Sequence, residues 1–145
     1  MSDFGGAILL LGRGLIAIYL IAIAGAFHFS KGAMAIGFER QSGFPFATLA
    51  GWPTGVWLAG AGVSIGLGIW ADIGALMFAA FVIPAAVWFH RFWAIEDESQ
   101  KQTQTLLFWR NVTFLGASLA LFAFFAAFGH DLPFTITDPA FDLRK

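Results

Sequence analysis

Six polar side chains that could do chemistry fall at the ends of apolar stretches, on one side of the molecule: His28, Lys31, His90, Arg91, Arg110 and Asn111. At a bilayer interface such groups can hold a quinone carbonyl, an anionic headgroup or a carboxylate, and histidine can relay protons near neutral pH. The alternative is an ordinary ring of anchoring residues. Anchoring explains Lys31 and Arg91, but Arg110 and Asn111 lie about one turn inside an apolar run. Both interpretations of this cluster stay open.

Metal and haem chemistry find little support in the same residues. His28 and His90 could ligate haem only if both rings faced inward at one depth, and two lone histidines near helix ends are weak support for that. The chain has no cysteine, and no spacing typical of zinc or iron–sulfur sites is present. We therefore predict no metal site and no haem, and the candidate ligands are a quinone or a lipid. Glu39 and Glu96 are the nearest counter-charges.

Arg13 is the only charged residue of the first apolar stretch. It lies about two turns from the face that holds both termini. A buried arginine costs several kcal/mol unless it is paired or reaches the headgroups. Asp72 is the only acid expected near that depth, so we predict an Arg13–Asp72 ion pair. The alternative is that Arg13 extends to headgroup phosphates.

The composition shows which kind of protein must position these groups. Apolar residues make up 59% of the 145-residue chain and charged residues 12%, and the mean hydropathy is +0.77. A water-soluble domain of this size could not bury so much hydrocarbon. The net charge of −1 provides no basic surface for phosphate, so nucleic acid is excluded as a partner.

We predict an all-α fold, a single integral membrane four-helix bundle with short loops. A span needs about 20 mostly apolar residues. The chain offers four such spans, at about residues 6–29, 52–71, 73–93 and 106–129. Residues 30–51 are predicted to be a link, and residues 130–145 a short tail. Asp72 is expected to cap the third helix.

Two features of the middle spans bear on helix packing. Small residues recur at steps of three or four on one face of the second span: Gly51, Gly55, Ala59, Gly62 and Gly66. Such a face allows close helix approach, so it predicts a seam, either inside the bundle or towards a partner protein.

Pro84 lies within the third span and should kink it, because proline leaves the carbonyl of Ala80 without its helical donor.

Four sequence blocks resemble the DoxX family of membrane proteins. They are an early arginine in LLLGRG, the link GFPFATLAG, and the blocks FVIPAAVWFHRFW and FWRNVTFLG. The order and spacing carry the resemblance over about residues 6–128. The resemblance implies a four-helix membrane protein associated with redox or oxidative-stress complexes. It draws attention to these positions: Arg13, Pro84, His90, Trp93, Arg110 and Asn111. Many relatives carry a glutamate in the second span, and this chain has none there.

Two functions follow as hypotheses. The first is a small accessory subunit of a larger membrane redox complex, packed against lipids and other membrane subunits. The second is a self-sufficient, quinone-linked oxidoreductase centred on His90, Arg110 and Asn111. Enzymatic activity is the less favoured of the two. The expected location is a bacterial inner membrane with several spans. The lysine and arginine distribution favours both termini outside, although functional use of those residues would spoil the count and the orientation stays open.

Overall fold

The structure is a computed structural model that describes residues 2–144, and Met1 and Lys145 lie outside the described part. Within residues 2–144 the chain is 80% helical, with five helices and no strand. The all-α prediction is therefore confirmed. The structure includes the predicted tail from residue 130 to Arg144.

Helix α1 runs from Asp3 to Ser30. The Ser2 hydroxyl caps it by accepting from the Gly5 amide at 3.2 Å, which satisfies one of the free amides of the first turn. The middle of the helix, Tyr19–Gly25, is a π-helical segment. The α-helix resumes at Ala26, so the predicted first span is one continuous element.

Helix α2, Gly32–Gln41, corrects the prediction that residues 30–51 form only a link. A short 3₁₀ turn follows at Ala47–Ala50. No proline precedes Pro45 in this stretch, so nothing interrupts a helix before it. Ala35 and Glu39 are both buried, and their spacing of one turn puts them on one face of α2.

Helix α3 spans Trp52–Leu67 and ends where Gly68 turns left-handed, with φ 68°. It is therefore shorter than the predicted span 52–71. Trp70 also has a positive φ, of 44°, and helix α4 begins directly after it. Helix α4 covers Ala71–Pro84 and continues as a π-helical segment, Ala85–Phe89.

Helix α5, Glu98–Phe128, is the longest element with 31 residues. It begins earlier than the predicted residue 106, because the Asp97 carboxylate accepts from the Gln100 amide at 2.8 Å and caps the helix in the polar stretch. A 3₁₀ turn, Gly129–Asp131, ends it. The remaining chain folds back over the end of the bundle.

Three segments are long and apolar enough to cross a membrane: Asp3–Ser30, Ala71–Ala94 and Glu98–Asp131. Helix α3, with 16 residues, measures ~24 Å at 1.5 Å per residue. That is shorter than a hydrocarbon core of ~30 Å. The membrane assignment therefore stands on α1, α4 and α5.

The core lies between α3 and its neighbours. Its buried residues are Leu20, Leu58, Ala61, Ile65, Phe78 and Val82. Helices α1 and α5 meet through long side chains, with the rings of Tyr19 and Phe114 centred 5.5 Å apart. Helices α1, α3 and α4 therefore supply the buried core, and Phe114 and Leu115 of α5 pack against it.

Candidate functional site

The small-residue face of α3 packs inside the molecule, against α1. A Cβ added at Gly62 would lie 2.7 Å from Ile21 Cγ1, and one added at Gly66 would lie 2.8 Å from Ala17 Cβ. Gly55 faces the ring of Phe29. Ala59 and Gly51 continue the face, opposite Gly25 and Gly32 respectively. Helix α1 therefore already occupies this seam.

The predicted Arg13–Asp72 ion pair is not formed within residues 2–144. Arg13 is 1% exposed and donates instead to three carbonyl oxygens, those of Ile65 at 3.0 Å, Gly66 at 2.9 Å and Phe134 at 2.8 Å. The first two belong to the last turn of α3, where a cation also meets the negative end of the helix dipole. Arg13 therefore ties α1 to α3 and to the tail.

Asp72 is fully buried, but it does not cap α4 through its side chain. Its Oδ2 accepts from the Phe141 amide at 2.7 Å. The sequence missed this contact because the tail brings the partner back over 69 residues of chain. The ion-pair prediction used depth alone and did not foresee the contact with the tail. The cap prediction failed because Trp70 is the N-cap of α4, which places Asp72 inside the first turn.

Both histidines of the predicted polar cluster are engaged locally. His28 is buried, and its Nδ1 is hydrogen-bonded to the carbonyl oxygen of Ala50. His90 Nδ1 lies 2.7 Å from Gln104 Oε1. Haem ligation would require one nitrogen of each ring at a common site, and the two rings here turn to different partners. No group of three metal-ligating side chains occurs within residues 2–144.

The other cluster members also find separate surroundings. Asn111 is buried and donates to the Leu107 carbonyl oxygen at 2.9 Å, within its own helix. Arg91 donates to the Ser42 carbonyl oxygen at 3.0 Å. Lys31 and Arg110 are exposed. Among the described residues no hydrogen bond or salt bridge joins two members of the cluster.

Trp93, singled out by the motif resemblance, packs in an aromatic group beside α5. Its ring centroid lies 5.2 Å from that of Phe92 and 5.7 Å from that of Phe108, both nearly edge-on. More than half of its surface is exposed. Such a ring suits a membrane interface, where an apolar body and a polar tip meet different surroundings.

A cavity of about 180 Å³ lies between α2, the link after it, α3 and α4. Glu39, Phe44, Trp57, Phe81 and Phe89 line it, together with Leu49, Thr54, Ala80 and Pro84. Glu39 is 7% exposed. No hydrogen bond or salt bridge to its carboxyl group occurs within the described part of the chain. Burial raises the pKa of this carboxyl from its ordinary 4.5 to about 7.

Pro84 contributes to this cavity. The helix changes from α to π directly after it. Because proline has no amide hydrogen, the carbonyl of Ala80 lacks its usual helical donor. The next amide, that of Ala85, donates to the carbonyl oxygens of both Phe81 and Val82. The predicted disturbance of the helix at Pro84 thus coincides with a pocket wall.

Sequence reasoning named Glu39 only as a counter-charge. A signal was available, since Ala35 and Glu39 lie one turn apart on an otherwise apolar face. Recognising it required a helix in this stretch, and the stretch was predicted to be a link. Comparison of the chain with protein-family models, curated proteins and solved structures found no match.

Proposed function

We propose that this chain is a small accessory subunit of a larger membrane redox complex, placed in a bacterial inner membrane and holding a quinone or lipid. The observation that carries the proposal is the apolar outer surface of α1 and α5. In their most apolar windows only 17% and 22% of residues are buried. Lipids and neighbouring subunits can cover such faces, and water cannot.

In this proposal α3 is the fourth span of a four-helix bundle. It packs between α1 and α4 and is extended by the 3₁₀ turn before it. Trp52 and Trp70 stand at its two ends, 69% and 53% exposed. Tryptophans at both ends suit the two interfaces of a bilayer. A short central helix shielded by its neighbours is accommodated by local thinning of the bilayer.

The exposed face of α5 is where we would expect a partner helix. Its small exposed residues recur at steps of one, three or four: Thr113, Gly116, Ala117, Ala120 and Ala123. A Cβ added at Gly116 would meet nothing within 4 Å. Small residues permit close helix approach in lipid. Unlike the α3 seam, this face is not covered by the chain itself.

The redox assignment is supported by the DoxX-like sequence blocks. The local engagement of His90 by Gln104 and of Asn111 by Leu107 favours an accessory subunit over a self-sufficient oxidoreductase. A quinone-reducing centre at His90, Arg110 and Asn111 would require these groups to converge on one substrate.

The test is copurification. The tagged chain, expressed at native level and extracted in a mild detergent, is expected to bring larger membrane subunits with it. Gly116→Leu should reduce that recovery, because it fills the exposed face of α5 without a clash inside the chain. Gly14→Leu is the matched control on α1, where an added Cβ also meets nothing within 4 Å. Recovery of the wild-type chain as a clean monomer would contradict the proposal.

A further inference from the structure

Glu39 combines two properties that a structural carboxyl group rarely has together. It is more than nine-tenths buried, yet its carboxyl has no hydrogen-bond or salt-bridge partner within residues 2–144. Its carboxyl oxygens are not among the fully buried atoms without a partner, so they keep access to the cavity that Glu39 lines. Ionising a carboxyl group in such apolar surroundings is costly unless a counter-charge is present, and a cation entering the cavity would supply one.

The cavity beside Glu39 presents aromatic rings with few competing polar groups. The Trp57 Nε1 hydrogen is engaged, because it donates to the Met77 carbonyl oxygen at 2.8 Å, and Thr54 Oγ1 donates to the Leu49 carbonyl oxygen at 2.7 Å. The rings of Phe44 and Phe89 lie 5.5 Å apart, nearly edge-on. Aromatic faces attract cations, tryptophan most strongly.

From this arrangement we propose that the cavity is a binding site for an ammonium group, carried by a small lipophilic amine or by a lipid headgroup, with Glu39 as its counter-ion. A carboxylate and several rings around one cation satisfy both the charge and the apolar surroundings. The volume of about 180 Å³ is below the range of drug-sized pockets, about 300–1,000 Å³. It therefore fits a head group or a single ring.

The other charged and titratable groups near the cavity are bonded elsewhere or exposed, so Glu39 is the counter-ion that the cavity offers to an ammonium group. His28 on α1 lies edge-on to the Phe81 ring at 6.0 Å and is bonded to Ala50. Arg91, after α4, is engaged by the Ser42 carbonyl. Arg40 follows Glu39 on α2 and is exposed. The residues lining the cavity from α3 and α4 carry no other titratable group.

The inference predicts a definite pH dependence. The pKa of Glu39 is raised to about 7 by burial, so its ionised fraction rises about tenfold between pH 6 and pH 8. Ammonium binding should strengthen by about the same factor, provided that the ligand stays protonated. A neutral ligand of the same shape should show no such gain.

The probes are benzylammonium, which is charged throughout this range, and benzyl alcohol, its neutral counterpart. Binding to the purified full chain is measured by calorimetry at pH 6 and pH 8. We expect benzylammonium to bind about tenfold more tightly at pH 8, and Glu39→Gln to weaken it at least tenfold. Glu96→Gln, which changes an exposed acid, is the matched control. Phe89→Leu keeps the carboxyl but removes a ring, and should weaken binding severalfold.

Nanodiscs separate the two sources of the ammonium group. The quantity compared is the Glu39-dependent part of benzylammonium binding, wild type less Glu39→Gln, because anionic lipid attracts any cation to its surface. Loss of this part in phosphatidylethanolamine, relative to phosphatidylglycerol, assigns the site to a lipid headgroup, and an equal part in both assigns it to a free amine. Equal binding of benzyl alcohol, pH-independent binding or no binding would overturn the proposal. The inference rests on the proposed function only for its membrane setting. Copurification tests the accessory-subunit proposal and ligand binding tests the ammonium site, so either proposal can fail while the other holds.

Discussion

The two ends of the molecule treat their buried polar groups differently. At the tail end, formed by Arg13, Asp72, the turn 68–70 and residues 132–143, the folded-back chain accepts from Arg13 and donates to Asp72, although Arg13 Nη1 and Asp72 Oδ1 have no partner within residues 2–144. At the loop end, formed by α2, the link to Ala50 and residues 89–95, the carboxyl group of Glu39 has no partner within residues 2–144 and lines a cavity. The unpartnered atoms of the tail end are sealed inside the protein, whereas the Glu39 carboxyl group can be reached from a cavity.

The tail end is closed by backbone hydrogen bonds across long sequence distances. The Gly68 carbonyl oxygen accepts from the amides of Ile136 and Thr137, both at 3.1 Å. The Trp70 amide donates to Thr137 Oγ1 at 2.8 Å. Buried backbone groups need such partners, and here the tail supplies them. The chain itself therefore covers the tail end, whereas the loop end keeps a cavity.

The largest expected effect comes from removing Arg13. Arg13→Met should lower the free energy of unfolding by about 2–4 kcal/mol, because it leaves one buried and two partly buried carbonyl oxygens without this donor. Arg13→Lys should recover part of the loss, since one ammonium cannot reach all three. Thermal unfolding in detergent measures both, with the exposed Arg40→Met as the control. Unchanged stability in Arg13→Met would remove the distinction between the two ends.

Glu39→Gln should act in the opposite direction. The folded-state pKa of about 7 lies above the ordinary 4.5, so the folded protein binds more protons than the unfolded chain between these values. Stability therefore falls as pH rises through this window and is lowest above pH 7. At pH 8 Glu39→Gln should stabilise the protein by about 1–3 kcal/mol, since solvent reaching the carboxyl group reduces the full effect of the shift, with no difference near pH 4. A pH-independent difference would contradict this account.

The helix seam offers a matched pair of glycine substitutions on α3. Gly62→Ala should cost about 1–3 kcal/mol, because its Cβ would lie 2.7 Å from Ile21 Cγ1 and 3.2 Å from the Ala17 carbonyl oxygen. Gly60→Ala should stabilise by about 0.5–1 kcal/mol, since its nearest neighbour is Met77 Cε at 3.5 Å. Equal effects on unfolding would show that α1 does not pack here as described.

The smallest effect tests the tail alone. Thr137→Val removes the acceptor of the Trp70 amide and should cost about 1 kcal/mol. Amide exchange should quicken at Trp70 and leave the core of α3 unchanged. Thr103→Val, on the exposed start of α5, removes a bond within its own helix and serves as the control. Exchange that quickens equally at both ends would mean that the tail is not a local closure.

Hydropathy located most of the helical segments but not their ends or contacts. Helix α3 ends before residue 71 because Gly68 adopts a left-handed conformation, and α5 starts before residue 106 because Asp97 caps a polar turn. Helix α2 was missed because a short amphipathic segment between spans has no strong hydropathy signal. The ion pair was wrong because its prediction used depth alone, whereas the tail supplied nearer acceptors.

The sequence by itself determined that this chain is helical and suited to a membrane. An excess of apolar residues over any soluble core, arranged in long runs, permits little else, since backbone polar groups in lipid must pair within their own helix. Tertiary structure alone decided which partner Arg13 finds and that Glu39 is left with none. Those outcomes depend on how the tail and α2 pack against distant helices, and local pattern carries no information about such contacts.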